Sequence, residues 1–248
     1  MHGAAALELL DATAAAIAEA LAATTDWGLA GTKPGQYLSD LAADEAALRV
    51  LGDAGVGVLS EESGRHDPTR AVTVVVDPLD GSTNASRGIP WFATSLCAVD
   101  AEGPLAALVV NLASGVRHSA VRGEGAFRDG VPLSPSGVTS LGSAVVLLSG
   151  MPPTWLGWKQ YRALGAAALD LCAVAGGMVD GYIDCSWSAH GPWDYLGGML
   201  VCTEAGASVV DAEGRDLVVL DHDARRTPVA GATAELCDEA LAARRTYS

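Results

Sequence analysis

Basic residues are in short supply in this chain: 15 Lys and Arg stand against 30 Asp and Glu over 248 residues, a formal net charge of -15. Nucleic-acid phosphates and anionic membrane surfaces attract Lys- and Arg-rich faces, so neither is an expected partner. A chain this acidic that handles phosphate needs cations between the two like charges. Cysteine is scarce as well. Cys97, Cys172, Cys185, Cys202 and Cys237 are scattered, odd in number and form no C-x-x-C pair, which argues against a disulfide framework or a zinc site and leaves each as a small core residue. Long uncharged hydrophobic runs are also missing. The apolar N-terminal stretch has no basic region before it and is interrupted by Glu8, Asp11 and Glu19, so no signal peptide or membrane span is expected, and the cytoplasm is the expected compartment. There is no internal repeat, and no low-complexity tract beyond the alanine-rich start.

Half of the residues are hydrophobic, enough for a sizeable core in one large or two small domains. Residues 3–22 place Leu7, Leu10, Ile17 and Leu21 on one helical face, and a second helix is expected over residues 39–50, capped by Ser39 or Asp40, with Leu41, Leu48 and Leu51 inward and Gly52 as its stop. The pattern then changes to short β-branched runs at residues 56–59 and 71–76, the second reading as a strand buried on both faces. Further strand-like runs at 93–99, 105–111, 116–121 and 125–127 suggest an antiparallel meander. A Pro, Ser and Gly cluster at 131–140 is the expected boundary between an N-terminal half, residues 1–138, and a C-terminal half, residues 139–248. Beyond it come strands at 143–148, 179–183, 208–210 and 228–230, and helices at 165–175, 195–205 and 232–245.

Three acidic motifs carry the chemistry. Asp77-Pro78-Leu79-Asp80-Gly81-Ser82-Thr83-Asn84 follows directly on the apolar run 72–76; Pro78 lacks a ladder donor, so the strand should stop there and present two carboxylates in a turn. Gly81, Ser82 and Thr83 would then open a helix or turn whose free N–H groups suit a phosphate. Ser60-Glu61-Glu62-Ser63 ends the strand before it, and Trp193-Asp194 precedes Tyr195-Leu196-Gly197-Gly198. Singly, each has an ordinary reading: a helix cap after a solvated turn, a solvated charge pair, and an N-cap aspartate.

In this order, Glu-Glu, then D-P-L-D-G-S-T, then W-D with a following Gly-Gly, the motifs resemble the inositol monophosphatase and fructose-bisphosphatase superfamily. Gly123-Glu124-Gly125-Ala126-Phe127 resembles that family's G-x-G-A-F hairpin, and Arg162-Ala163-Leu164-Gly165-Ala166-Ala167 with Gly176-Gly177 its substrate-side helix. The resemblance implies an α/β layered sandwich with alternating αβαβα layers, the carbohydrate-phosphatase fold, with the site between the two halves. It implies two or three Mg²⁺ ions held by Glu61, Asp77, Asp80, Asp194 and the Leu79 carbonyl, a ligand set of hard oxygens. Glu61 and Ser82 would orient or deprotonate the attacking water, with Asp40 assisting through a hydrogen bond to Ser82; its surroundings, residues 34–39, match the family poorly. Gly81 and Ser82 would hold the phosphate, and Asp80, Gly165, Ala166, Ala167, Asp184 and Asp194 would grip the alcohol's hydroxyls. The implied activity is hydrolysis of a small phosphorylated polyol or sugar, inositol monophosphate first, by direct attack of metal-activated water, with lithium sensitivity and a homodimer. Fructose 1,6-bisphosphate, histidinol phosphate and 3′-phosphoadenosine 5′-phosphate are the alternative substrates; a non-catalytic regulatory binding protein is the reading from another class.

The chain departs from the family near the polyol. Ala85 stands where an aromatic is common, Asp184 where Glu is common, and the stretch 185–192 is longer. That stretch carries Trp187 and His190, either leaving-group contacts or surface and packing residues. His2, His66, His118 and His222 form no spaced ligand pair.

Overall fold

The computed structural model describes residues 1–31 and 36–247. Its elements run α1 (Gly3–Ala23), α2 (Leu38–Asp53), β1 (Gly57–Ser60), β2 (Gly64–His66), β3 (Thr73–Asp80), α3 (Ser82–Arg87), β4 (Ala93–Asp100), β5 (Gly103–Asn111), β6 (Arg117–Val121), β7 (Gly125–Arg128) and β8 (Val131–Pro132). The second half continues with β9 (Val145–Ser149), β10 (Gln160–Arg162), α4 (Ala167–Ala175), β11 (Gly181–Asp184), α5 (Pro192–Ala205), β12 (Ser208–Asp211), β13 (Pro228–Gly231) and α6 (Ala234–Arg244). Two sheets result, one of eight strands in the order β2-β1-β3-β4-β5-β6-β7-β8, the other of five in the order β10-β9-β11-β13-β12. Among the described residues no helix is long and apolar enough to cross a membrane.

Strand periodicity builds the layers. On β3, Val74 and Val76 pack with Leu10, Ile17, Ala43 and Leu51 of α1 and α2, while Val75 between them packs with Leu169, Leu196 and Leu200 of α4 and α5. A strand covered on both sides must be apolar at every position, which is why this run shows no alternation. The five-stranded sheet repeats the device: Leu147, Tyr182 and Ala230 face α4 and α5, and Val146, Ile183 and Val229 face Leu236 and Ala240 of α6. The order is helix pair, sheet, helix pair, sheet, helix, the expected αβαβα sandwich. The division expected at residues 138 and 139 falls between the two sheets; it stays a proposal about folding units, because α4 and α5 pack against both.

The glycine pair after Trp193-Asp194 lets the middle layer close. A Cβ on Gly198 would lie 2.7 Å from Leu171 Cβ and 2.8 Å from the Ala168 carbonyl on α4, and one on Gly197 would lie 2.8 Å from Ser95 Oγ on β4. One glycine admits the neighbouring helix, the other the sheet. All five cysteines are free and buried, as the composition suggests.

Several local expectations are corrected. β3 does not stop at Pro78. Its pairing with β1 ends at Val76, so Pro78 owes no hydrogen bond on that side, and on the other side a register shift between Asp77 and Asp80 absorbs it, while its carbonyl accepts a 2.9 Å hydrogen bond from Thr94 Oγ1. Helix α2 starts at Leu38 with Tyr37 as its cap, and Leu41 is on its solvent side. Helix α5 starts at Pro192, so Asp194 is its third residue and not its cap. β2 and β10, three residues each, pair at sheet edges and lie outside the strand-like runs of the sequence.

Candidate active site

The acidic motifs converge because adjacent strands end together. The Glu61 N–H donates to the Val76 carbonyl at 3.1 Å, carrying the β1–β3 pairing one residue further and setting Glu61 beside Asp77. Asp77 Oδ1 accepts the Leu79 N–H at 3.0 Å and closes the turn. Asp80 Oδ2 accepts the Ala168 N–H at 2.8 Å in the first turn of α4, a carboxylate at the positive end of a helix. Asp194 Oδ2 accepts the Gly191 N–H at 2.7 Å, ahead of α5. Glu61, Asp77 and Asp194 each bring a carboxylate oxygen within 4.8 Å of the others. Gly81 (φ 84°) turns the chain from β3 into α3, and a Cβ there would meet the Trp91 and Gly165 carbonyls at 3.1 and 3.2 Å; only glycine fits both the backbone and the space.

These groups open into one cleft of about 470 Å³. Asp40, Glu61, Asp77 and Leu79 line it, as do Asp80, Gly81, Ser82 and Asp194, so the structure brings together eight residues that the motifs single out. The carboxylates are uncomfortable there. Burial first, then the charges of Glu61 and Asp80, push Asp77 well above the ordinary carboxylate range. Burial and the Asp194 charge raise Asp80, against the Ala168 N–H, and burial with Asp194 and Glu62 raises Glu61. Clustered, desolvated oxygens gain most from a hard divalent cation, which takes carboxylate and carbonyl oxygen at this separation. No cysteine or histidine joins the cluster among the described residues, so the donors fit Mg²⁺ and not zinc.

Two residues differ in their contacts from what the motifs led one to expect. Asp40 does not bond Ser82: its Oδ2 accepts the Tyr37 N–H at 2.8 Å to close the first turn of α2, and its Oδ1 is buried without a hydrogen-bond partner. Burial raises this carboxyl to about 6. Of residues 34–39 around it, Pro34 and Gly35 lie outside the described residues. Asp184 lines neither the cleft nor the adjoining cavity of about 130 Å³ formed by Asp80, Ser149, Gly165, Ala166, Ala167, Asp170 and His190. It is fully buried, accepts the Ser186 N–H at 2.8 Å, and meets His190 Nε2 at 3.7 Å. His190 lines that cavity. Its ring is held by Asp194 through Nδ1 (3.3 Å) and by the Tyr182 hydroxyl at Nε2 (3.0 Å). Burial alone would lower the imidazole, but Asp194, Asp184 and Asp80 outweigh it and hold it near 9. Trp187 is exposed and packs edge-on against Tyr247.

Part of the cleft wall carries no signal in the sequence. His222, in the β12–β13 connection, bonds the Glu61 carbonyl through Nε2 at 3.1 Å and lies 4.8 Å from the Trp193 ring, centroid to centroid. Arg225 lies over the same indole, Cζ 5.2 Å from its centroid. Neither belongs to a local motif, and nothing in the spacing marks them.

This geometry agrees with comparisons to known proteins. The profile of the inositol monophosphatase family matches residues 40–247. The chain is 32% identical over 207 residues to a fructose-1,6-bisphosphatase of Pyrococcus furiosus, covering 80% of this chain and 78% of that one. It is 36% identical over 202 residues to an inositol-1-monophosphatase of Mesorhizobium japonicum, covering 73% and 74%. A solved Pyrococcus horikoshii protein, described as having similarities to inositol-1 monophosphatase, superposes with a TM-score of 0.82 over 96% of each chain at 26% identity. Fold and acidic cleft together define a phosphoric monoester hydrolase of the layered carbohydrate-phosphatase type. The chain belongs to the inositol monophosphatase family.

Proposed function

We propose that this protein is a Mg²⁺-dependent phosphomonoesterase that hydrolyses a sugar or polyol phosphate by direct attack of water. The carrying observation is the triad of oxygens from Glu61, Asp77 and Asp194 within 4.8 Å, at the mouth of the Gly81–Ser82 turn. Glu61, Asp77, Asp80, Asp194 and the Leu79 carbonyl would hold Mg²⁺. Bound there, the ion supplies charge neutralisation for the phosphoryl group and makes water more acidic. The protein supplies the rest. Glu61, pinned through its backbone to β3, and the Ser82 hydroxyl orient the attacking water in this reading. The N–H groups of Gly81 and Ser82 receive phosphate oxygens and stabilise charge developing in the transition state. Asp80 and the 165–167 backbone flank the alcohol.

Two similar proteins bear different substrate names, fructose-1,6-bisphosphatase and inositol-1-monophosphatase, and a third, from Salmonella typhimurium and 35% identical over 174 residues, is named Nus factor SuhB. A panel of inositol 1-phosphate, fructose 1,6-bisphosphate, histidinol phosphate and 3′-phosphoadenosine 5′-phosphate, each with Mg²⁺ and with EDTA, tests the reading. Phosphate release that requires Mg²⁺ is the expected result. No release from any member of the panel favours the binding-protein alternative. Millimolar Li⁺ is expected to inhibit at saturating Mg²⁺, and an unaffected rate counts against a site of this kind.

A further inference from the structure

Six carboxylates line the cleft, from Asp40, Glu61, Glu62, Asp77, Asp80 and Asp194, and among the described residues Arg225 is the one Lys or Arg that lines it with them. A guanidinium beside so many carboxylates ordinarily pairs with one, because charge-assisted bidentate bonds are the strong ones. Arg225 does not. Its Nη1 donates to the His222 and Ala224 carbonyls, both at 2.8 Å, and its plane is carried on the Trp193 indole. Trp193 is itself buried and flanked by the His222 ring. The head group is therefore fixed by backbone and stacking, and no described carboxylate takes its other edge. That edge, Nε and Nη2, is the planar fork that matches two oxygens of a phosphate or carboxylate.

We propose that Arg225 is a specificity-determining residue that binds a second anionic group on the alcohol portion of the substrate. The favoured substrates are then phosphate esters carrying another phosphate or carboxylate, such as a sugar bisphosphate, over a polyol monophosphate whose remaining groups are neutral hydroxyls. The inference rests on the phosphatase reading and sharpens it. The scissile phosphate has its own proposed seat at the β3–α3 turn and the carboxylate-bound cations, while Arg225 stands on the wall made by Trp193 and the β12–β13 connection. A cleft of about 470 Å³ lies within the range of small-ligand pockets, roughly 300–1,000 Å³, and holds both groups. A positive charge fixed in advance loses little entropy on binding and keeps its selectivity for anions in an otherwise acidic pocket.

The test is steady-state kinetics of wild type, Arg225→Gln and Arg225→Lys with Mg²⁺, on fructose 1,6-bisphosphate and inositol 1-phosphate in parallel. Wild type is expected to favour the bisphosphate in kcat/KM. Arg225→Gln is expected to raise KM for the bisphosphate by about 10- to 100-fold, the worth of a hydrogen-bonded charge pair, with kcat changing far less. The loss on inositol 1-phosphate should be at least about tenfold smaller, and Arg225→Lys should fall between. Equal losses on both substrates would overturn the proposal by assigning Arg225 to the scissile phosphate or to the fold, and no loss on either would overturn it outright. If wild type releases phosphate from neither compound, the phosphatase reading has failed on both, and calorimetric titration of the two compounds onto wild type and Arg225→Gln with Mg²⁺ decides. There a bisphosphate-selective loss of affinity is required, and equal or absent binding refutes the proposal.

Discussion

Two walls of one cleft are built by different means. The carboxylate wall consists of regular structure: Glu61 and Asp77 sit where paired strands run out, Asp80 bonds the first turn of α4 and Asp194 lies in the first turn of α5. The contributions of His222 and Arg225 come from a connection between strands and are held by an indole face and backbone carbonyls. In the proposed reading, chemistry that every substrate shares would be set by regular elements of the fold, and discrimination among alcohols would be left to a loop, where side chains change at little cost to the fold.

The largest effect expected is Asp77→Asn, which keeps the shape and removes the charge. Turnover should fall by on the order of 10²–10³-fold or more, as for loss of a preorganised electrostatic group, with an unchanged circular dichroism spectrum and no Mg²⁺-induced rise in melting temperature. Unchanged turnover would dissolve the site assignment.

Next comes pH. Burial raises Asp40 to about 6 and Asp170 to about 7, and Glu61, Asp77 and Asp80 shift the same way. A carboxyl whose folded pKa lies above its unfolded value near 3.8 binds more protons folded than unfolded, so its contribution falls as pH rises. His118, lowered to about 4 by burial, binds fewer protons folded and opposes this between about 4 and 6.5. Asp100, held low by Arg122, and Asp211, which burial would raise but Arg215 holds low, oppose it at the acid end of the window. His190, held near 9 against burial by its carboxylates, adds to the fall as pH approaches 7; the five raised carboxyls set the direction. In EDTA the melting temperature should fall as pH rises from about 4 to 7, and Mg²⁺ should reduce the fall at the upper end. A melting temperature that climbs across the window in EDTA would show that the cluster is not strained.

Gly198→Ala probes the packing under the carboxylate wall. Its new methyl must displace Leu171 and the Ala168 carbonyl, an overpacking cost of about 1–3 kcal/mol, visible as a drop of several degrees in melting temperature. His222→Ala is the smallest change. Losing one ring contact and one hydrogen bond should cost about 0.5–1.5 kcal/mol and lower turnover by less than tenfold; a loss matching that of Asp77→Asn would erase the distinction between the walls.

The same distinction explains what could be read in advance. Asp77 to Ser82 is a local motif after an apolar run, and Glu61 and Asp194 stand at the end or the start of regular elements, so each is visible as a motif while their grouping rests on the resemblance. The αβαβα layering comes from the resemblance; what the residues themselves show is that β3 is buried on both sides, being apolar without alternation because helices cover both its faces. Pro78 misled because a proline ends a strand only where its missing N–H is needed, and β1 stops pairing just short of it. At Asp40 and Asp184 a local backbone donor, Tyr37 or Ser186, engages one carboxylate oxygen, a contact that position in a motif does not reveal. His222 meets Glu61 across 161 residues of chain, with no periodicity to announce the contact.

Asp77 belongs to the eight-stranded sheet and Asp194 to the helix layer behind it, and no covalent bond fastens these parts, since every cysteine is a free thiol. In the proposed reading, an ion held by the two carboxylates would be a reversible crosslink. It closes a long loop of chain as a disulfide would, restricting the unfolded ensemble only while the site is filled. The strength of that crosslink is set by the solution: saturation at a hundred times the dissociation constant adds about 2.7 kcal/mol, and dilution takes it away. With the proposed site filled, the cohesion of the layers would therefore follow the cation concentration around the protein.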